Sequence, residues 1–188
     1  MNREYGLSHV TKDYLATYCC ILDDMIQEMT SAELTKSISH NFIVQMIPHH
    51  QGAIEMARNI LRYTTNIPLQ NIALKIITQQ TKGIAQMQKI LHNCSDIHNC
   101  QEDLCRYQTR INQIKKTMFC EMKHTCTTNC VTANFIREMI PHHYGAIAMS
   151  ETTLKYCICP ELVPILDTII TSQQKEICQM HQILTCMN

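Results

Sequence analysis

Two histidine pairs, each flanked by methionines, are the residues of this chain best suited to chemistry. His49 and His50 lie in the segment NFIVQMIPHHQGAIEM, and His142 and His143 lie in NFIREMIPHHYGAIAM. The two segments are identical at 12 of 16 positions and are offset by 93 residues. Imidazole nitrogen and thioether sulfur are ligands of soft and borderline metal ions. The repeated motif therefore indicates a metal site.

The same offset relates other parts of the chain. Residues 76–91 match residues 169–184 at 10 of 16 positions, and the alignment needs no insertion. Self-similarity at one fixed period indicates an internal duplication. We expect two repeat units, residues 1–94 and residues 95–188, which together form one compact domain.

Methionine is retained unusually well between the two units. Of 12 methionines, ten form five pairs at the offset of 93. Methionine exchanges readily with leucine or isoleucine in a core, because packing depends mainly on volume. Its retention therefore favours a role as a ligand over a role in packing alone. The candidate metal ligands are His49, His50, Met25, Met29, Met46, Met56 and Met87 in the first unit, and His142, His143, Met118, Met122, Met139, Met149 and Met180 in the second.

Apolar residues recur at helical spacing along most of the chain. Phe42, Met46, His49 and Ala53 follow one another at steps of four, three and four residues, which places His49 on the apolar face of a helix. The pattern predicts an all-α, bundle-like fold, built from two three-helix units related by a pseudo-two-fold axis. The predicted helices span residues 8–30, 31–63, 67–94, 102–124, 131–156 and 161–186.

Local signals predict where these helices begin and bend. The segment Thr30 to Glu33 reads as a capping box that starts the second helix. Asn66 and the proline two residues after it open the third helix. Pro48 and Pro141 fall inside helices, where we predict a kink rather than a break, because the apolar stripe continues past each proline.

The predicted ligand set suits one kind of metal. Thioethers are neutral and soft, and together with neutral imidazoles they match Cu(I), or Ag(I) as its mimic. Carboxylates are sparse on the apolar faces, which weighs against Ca²⁺ and Mg²⁺. Zinc usually takes histidine with cysteine or a carboxylate and does not require repeated methionine. The donor set therefore predicts a soft metal ion, for which Cu(I) is the best match.

The cysteines give a weaker signal. The chain has 12, and none aligns with another cysteine at the offset of 93. No hydrophobic segment typical of secretion occurs at the N-terminus, so we expect reduced thiols that pack as small apolar residues. Their spacings match no paired C-x-x-C zinc pattern. Thiolate binding of a soft metal stays an open alternative.

The composition limits which binding partners and which cellular location we expect. The 16 basic and 16 acidic residues balance, so the chain lacks the basic surface that nucleic acids or anionic lipids require. No apolar run approaches the roughly 18 residues of a transmembrane helix. We expect a cytoplasmic protein whose partner is a metal ion, with neither a nucleic acid nor a membrane as partner. A homo-oligomer stays open.

The motif resembles the family known as domain of unknown function 305. The resemblance rests on F-x-x-x-M-I-P-H-H-x-x-A-I-x-M followed by a helix of the type I-x-x-x-Q-x-x-x-I-x-x-M. These residues are Phe42, Met46 to His50, Ala53, Ile54, Met56, Ile76, Gln80, Ile84 and Met87, and the second copy is Phe135, Met139 to His143, Ala146, Ile147, Met149, Ile169, Gln173, Ile177 and Met180. The resemblance implies a ferritin-like four-helix-bundle type of fold. It also implies copper binding through methionine and histidine, which some members show, and so makes copper, as Cu(I), the predicted cofactor. It also implies export as the alternative to a cytoplasmic location.

Three function classes remain. The first is sequestration or buffering of Cu(I), without enzymatic activity. The second is a structural or assembly bundle in which methionine and cysteine only pack. The third is a di-iron ferritin-like enzyme, which requires Glu-x-x-His pairs on facing helices; only Glu121 and His124 fit that pattern. Of the unmatched histidines, His181 is the only one close to the ligand set, whereas we expect His9, His40, His92, His98 and His124 to be surface or capping residues.

Overall fold

The computed structural model describes residues 6–187 and contains six α-helices joined by short loops. They are α1 (His9–Ser31), α2 (Ile38–Leu61), α3 (Ile67–Ser95), α4 (Gln101–Lys123), α5 (Val131–Thr153) and α6 (Val163–Cys186). Residues 6–187 contain no β-strand. The predicted all-α bundle is confirmed.

Helices α2 and α5 form the centre of the molecule. Helix α2 packs against α1, α3 and α5, and α5 packs against α4 and α6, while α3 also packs against α6. The motif residues explain this arrangement, because Phe42 and Ile43 of α2 and Phe135 and Ile136 of α5 are all fully buried. The predicted boundary between residues 94 and 95 falls at the end of α3 and stays a prediction. The outermost residues of those units, 1–5 and 188, lie outside the described chain.

The predicted start of the second helix was wrong. Helix α1 continues to Ser31, and α2 begins only at Ile38. The Thr30 hydroxyl donates to the carbonyl of Ile26 at 2.7 Å, so it stabilises the end of α1 and starts no new helix. The N-cap of α2 is Ser37, whose side chain accepts from the backbone N–H of His40 at 3.2 Å. The Asn66 cap of α3 is confirmed, since its side chain accepts from the N–H of Leu69 at 2.9 Å.

Both internal prolines lie within continuous helices. Pro48 lies inside α2 and Pro141 lies inside α5, and neither helix is interrupted. The prediction that these prolines do not end their helices is confirmed. Each proline directly precedes a histidine pair, so the pair lies on the turn where the regular hydrogen-bond ladder loses one donor.

Two of the buried polar contacts that connect the first three helices to the last three involve matched positions of the repeat. The Tyr14 hydroxyl of α1 donates to the carboxylate of Glu138 on α5. The Lys115 ammonium of α4 donates to the side-chain oxygen of Gln45 on α2 at 2.6 Å. Gln45 and Glu138 occupy matched positions of the duplication. Burial raises the pKa of Glu138 to about 7, and the hydrogen bond from Tyr14 opposes that rise.

The pKa of Glu138 predicts a specific pH dependence of stability in the metal-free protein. From its ordinary pKa of 4.5 up to about 7, the unfolded chain loses the Glu138 proton while the folded protein keeps it. The free energy of unfolding therefore falls as the pH rises through this window. In Glu138→Gln this fall is absent, and the variant gains about 2–3 kcal/mol relative to the parent above pH 7. Urea denaturation at a series of pH values measures both slopes, and parallel curves for the two proteins would contradict the assignment.

Candidate metal centre

All four motif histidines lie in the core where α2 meets α5. His49 and His50 follow Pro48 on α2, and His142 and His143 follow Pro141 on α5. Their exposed fractions are 2% or less. The apolar stripe that buries the rest of each motif thus carries the imidazoles into the interior, as the helical spacing predicted.

His49 and His142 form a reciprocal pair. Their rings stack with centroids 3.6 Å apart and planes inclined by 28°. The Nε2 of His49 lies 3.2 Å from the backbone oxygen of His142, and the Nε2 of His142 lies 3.1 Å from the backbone oxygen of His49. A carbonyl oxygen only accepts, so both Nε2 atoms carry the proton and donate. Each Nδ1 is then a bare lone pair, and neither has a hydrogen-bond partner within residues 6–187.

His143 is oriented by a buried carboxylate. Its Nε2 lies 2.9 Å from the Oε2 of Glu176 on α6. The other carboxylate oxygen lies 3.4 Å from the Nζ of Lys75 on α3. The Nδ1 of His143 is buried and has no partner in the described structure. A carboxylate on one ring nitrogen is the arrangement that fixes the other nitrogen as a ligand in metal sites and raises its basicity.

His50 has a different environment from His143. Gly83 is at the position matched to Glu176, and a Cβ at Gly83 would lie 3.1 Å from Cδ2 and 3.2 Å from Nε2 of His50. A cavity of about 170 Å³ between α3 and α6 is lined by His50 together with Gln80, Gln173 and Glu176. The glycine therefore leaves the His50 ring facing this polar cavity. In the second unit, the matched residue Glu176 instead supplies a carboxylate to His143.

Burial keeps three of these imidazoles neutral. It holds the pKa of His49 and of His142 well below the ordinary value, and neighbouring histidines lower both further. Burial lowers the pKa of His50 to about 3, and the nearby His143 ring lowers it further. Neutral imidazoles present lone pairs to a metal at neutral pH, whereas imidazolium ions do not.

The ten matched methionines all lie in the same hydrophobic core, each 2% exposed or less. Met25 packs on Gly52 and Met118 packs on Gly145, so each glycine provides the space that a sulfur occupies. Met25 lines a surface cleft of about 150 Å³ between α1 and α2. Met118 lines a cleft of about 290 Å³ at the matched place between α4 and α5. Two of the predicted ligands are thus close to solvent.

The histidines alone do not form a chelate. Among the histidine, cysteine and acidic side chains of residues 6–187, the only three whose ligand atoms lie within 4.8 Å of one another are Cys94, Cys159 and Glu161. A metal held by the motif histidines thus needs additional donors, and the thioethers are the donors that share this core.

The other histidines lie away from this centre. His9, His92, His98, His124 and His181 are exposed, and His40 is half-buried. His181 therefore does not join the buried ligand set. Glu121, the partner of His124 in the one Glu-x-x-His pattern, is also exposed. That pattern does not face the bundle interior, as a di-iron site requires.

The expectation for the cysteines was wrong. Cys94 and Cys159 form a buried disulfide across 65 residues of sequence. Nine other cysteines are exposed and Cys130 is half-buried, so they do not pack as small core residues. The exposed cysteines lie outside the apolar stripes that form the core.

Within the described residues, no helix is long and apolar enough to cross a bilayer.

Comparison with known proteins places this arrangement in a family. The sequence profile described as "Domain of unknown function (DUF305)" matches residues 21–91 and residues 39–184. The chain belongs to the DUF305 family. This confirms the resemblance seen in the duplicated motif.

Solved structures share the fold of this DUF305 chain. "CopM in the Ag-bound form (by soaking)" is 28% identical, with a TM-score of 0.59 over 80% of this chain and 97% of that one. "CopM in the Cu(II)-bound form" is 28% identical, with a TM-score of 0.58 over 80% and 97%. A DUF305 fragment from Deinococcus radiodurans, 22% identical with a TM-score of 0.57 over 79% and 95%, shows the fold alone. No curated protein sequence matches the chain significantly.

The close approach of Gly52 to Met25 predicts the effect of adding one methyl group. A Cβ at Gly52 would lie 2.7 Å from the Sδ and 2.9 Å from the Cγ of Met25, so the Met25 side chain or α1 must shift. Gly52→Ala is expected to destabilise the protein by about 1–3 kcal/mol, because this overpacking outweighs the helix-propensity gain of about 1 kcal/mol. Gly145→Ala should behave alike, since its Cβ meets Met118.

The matched control is Gly6→Ala, where a Cβ meets nothing within 4 Å. It should change the free energy of unfolding by less than about 0.5 kcal/mol. Urea denaturation of the three variants provides the comparison. A stabilised Gly52→Ala protein would contradict the close packing of sulfur on glycine.

Proposed function

We propose that this protein binds Cu(I), or another soft metal ion, through its duplicated methionines and histidines, and that it sequesters or buffers that metal. The observation that carries the proposal is the state of His49, His142 and His143. His49 and His142 each donate the Nε2 proton to a backbone carbonyl and keep a buried Nδ1 lone pair, and the Nε2 of His143 is held by Glu176. The buried Nδ1 of each of the three rings has no hydrogen-bond partner among the described residues. An unpaired acceptor in a core costs about 1–3 kcal/mol, so a ligand that uses it has a clear advantage.

The donor set supports a soft, singly charged ion. Thioethers and neutral imidazoles carry no charge, so a buried cation gains only dipolar stabilisation and little charge compensation from them. A monovalent ion has a lower desolvation cost than a divalent ion at such a place. Hard ions require oxygen ligands, and the only buried carboxylates among residues 6–187 are Glu138 and Glu176. When bound, Cu(I) would be held by these residues as stored cargo.

The two surface clefts support a route for the ion. Met25 and Met118 line the clefts at matched positions, and Glu28 and Glu121 line the same clefts. A carboxylate beside a thioether attracts a cation from water before the soft donor takes it up. The structures of CopM, determined with silver and with Cu(II), support metal binding by this fold, and Ag(I) is a mimic of Cu(I).

The first experiment is an anaerobic Cu(I) titration of the protein against a competing chelator. The test variant changes Met25, Met29, Met87, Met118, Met122 and Met180 to leucine, and its control is Met187→Leu, an unmatched and exposed methionine. Leucine preserves volume, so the fold should survive. We expect the six-fold variant to lose at least about tenfold in affinity, or about 1.4 kcal/mol, and the control to lose none.

The same titration tests the alternative of a packing-only bundle. The near-complete burial of all ten matched methionines is also what a purely structural role requires. Absence of chelator-competitive Cu(I) binding by the parent protein, with helicity intact, would favour the structural bundle and overturn the proposal. Equal binding by the parent and the six-fold variant would assign the metal to other donors, such as the exposed cysteines.

The carboxylate on His143 provides a separate prediction. In Glu176→Gln the amide oxygen still accepts from Nε2, but the negative charge that raises the basicity of Nδ1 is lost. Changes of this kind weaken metal sites about 10–100-fold, so we expect at least a tenfold loss of Cu(I) affinity. The control is Lys75→Met, which removes the other charged partner of Glu176 and leaves the histidine contact in place. Unchanged affinity in Glu176→Gln would exclude His143 from the ligand set.

A further inference from the structure

A second donor cluster lies outside the methionine and histidine core. Cys94 lies near the end of α3, and Cys159 lies in the loop before α6. Their Cα atoms are 5.2 Å apart, and the Glu161 carboxylate lies beside them. One ligand atom from each of the three residues lies within 4.8 Å of the others. Cys94 and Cys159 are buried, whereas Glu161 is exposed and reaches solvent.

The backbone around the two cysteines is held by contacts that do not involve sulfur. The buried Ser37 hydroxyl donates to the carbonyl of Cys94 at 2.8 Å. The backbone N–H of Cys159 donates to the hydroxyl of Ser39 at 2.9 Å, and Ser39 is also buried. Both cysteines are therefore tied to the first turn of α2, and they should stay adjacent when the disulfide is reduced.

Asn99 adds a third connection at the same place. Its side-chain amide donates to the carbonyl of Cys157 at 2.7 Å, and its side-chain oxygen accepts from the N–H of Ile38 at 2.9 Å. Its backbone N–H donates to the carbonyl of Lys36 at 2.9 Å. The segment after α3, the loop before α6 and the start of α2 thus form one hydrogen-bonded unit around the cysteine pair.

We propose that Cys94, Cys159 and Glu161 form a zinc site that exists only when the disulfide is reduced. A dithiol reductant breaks the S–S bond by transferring two electrons and two protons, and becomes a disulfide itself. Zn²⁺ then replaces the two thiol protons and binds two thiolates and the Glu161 carboxylate, and a water molecule completes the tetrahedron. A small disulfide oxidant reverses the step: it takes two electrons from the thiolates and two protons from water to become two thiols, while the Cys94–Cys159 bond forms again and the ion is released.

The distances suit this coordination. Ligand atoms at the corners of a tetrahedral zinc site are roughly 3.8 Å apart when the Zn–S bonds are about 2.3 Å. The Sγ of Cys159 and the Oε2 of Glu161 are already 3.8 Å apart. The two sulfurs reach the same separation through rotation of their side chains, with the anchored backbone unchanged. Two thiolates with one carboxylate make a borderline donor set, which suits zinc better than a thioether site does.

The site is independent of the copper proposal and occurs once in the chain. At the offset of 93, Cys94 aligns with Met187 and Cys159 aligns with Asn66, so neither cysteine has a counterpart. Asn66 caps α3 with its side chain, whereas Leu162, the N-cap residue of α6, makes no side-chain cap hydrogen bond. The second unit thus has a cysteine where the first unit has a helix cap.

The experiment uses the native chain and the difference in exposure between its cysteines. The oxidised, folded protein is first treated with iodoacetamide, which should add ten carbamidomethyl groups to the ten free cysteines and leave the buried disulfide intact. A water-soluble phosphine then reduces the disulfide; phosphorus takes oxygen from water and the two protons pass to the sulfurs. After desalting under argon, Co²⁺ and Zn²⁺ are titrated into the reduced and the oxidised samples.

We expect the reduced sample to bind one equivalent of Co²⁺, with the thiolate-to-cobalt charge-transfer absorption of a tetrahedral site, and Zn²⁺ to displace it. The oxidised sample should show no such absorption. Glu161→Gln, at an exposed position, should fold normally and bind Zn²⁺ at least about tenfold more weakly. Cys159→Ser should lose the charge-transfer band.

Three results would overturn the site. They are equal binding by the oxidised and reduced samples, absence of binding by the reduced sample, and full affinity in Glu161→Gln. Circular dichroism confirms folding in each case, and the redox comparison on the native sequence stands even where Cys159→Ser does not fold. The variant with six methionines changed to leucine should bind Zn²⁺ unchanged, which separates this site from the copper proposal.

Discussion

The reciprocal contact between His49 and His142 is the constraint on which the centre of this molecule depends. Each ring donates to the backbone of the other helix, and the two rings stack at 3.6 Å. Two imidazolium ions at that distance would repel strongly in a buried environment, so the contact requires neutral rings. The low pKa that burial gives to both rings meets this requirement. The burial of the two rings therefore explains both why α2 and α5 can cross at this contact and why the site is uncharged.

Around that contact, several buried polar atoms lack hydrogen-bond partners. The Nδ1 atoms of all four motif histidines are buried without hydrogen-bond partners in the described structure, and so are amide atoms of Gln80 and Gln173. Buried polar groups are normally paired, since each unpaired group costs free energy. A ligand that satisfies these atoms binds only the folded state and so stabilises it. Under the proposed function, metal loading and folding stability are coupled through the same nitrogen atoms.

The helices and the burial of the candidate ligands could be predicted from the sequence, because periodicity reports which residues face inward. It mispredicted the start of α2, because Thr30 has equally good partners in its own helix and in a following one, and only the folded chain decides between them. The Cys94–Cys159 disulfide was not predicted. The two cysteines are 65 residues apart and neither has a counterpart in the repeat, so no spacing in the sequence indicates that they pair. The carboxylate on His143 was also missed. A signal for it existed, because Glu176 replaces Gly83 in an otherwise well-matched segment.

The differences between the two units argue that two metal sites, if each unit holds one, are unequal. His143 has Glu176 on its Nε2, which raises the electron density at Nδ1, whereas His50 faces a cavity beside Gly83. An imidazole that a carboxylate holds in place is the better ligand, so the second unit should load first. The cleft next to Met25 is lined by Asp24, Glu28 and Glu55, while the matched cleft of the second unit includes Arg110 beside its one acidic residue. Attraction of cations at the surface thus favours the first unit, and affinity in the core favours the second. Because α2 packs directly on α5, an ion that enters the first unit lies next to the stronger site. Under the proposed function, the two halves are therefore suited to different steps of metal uptake.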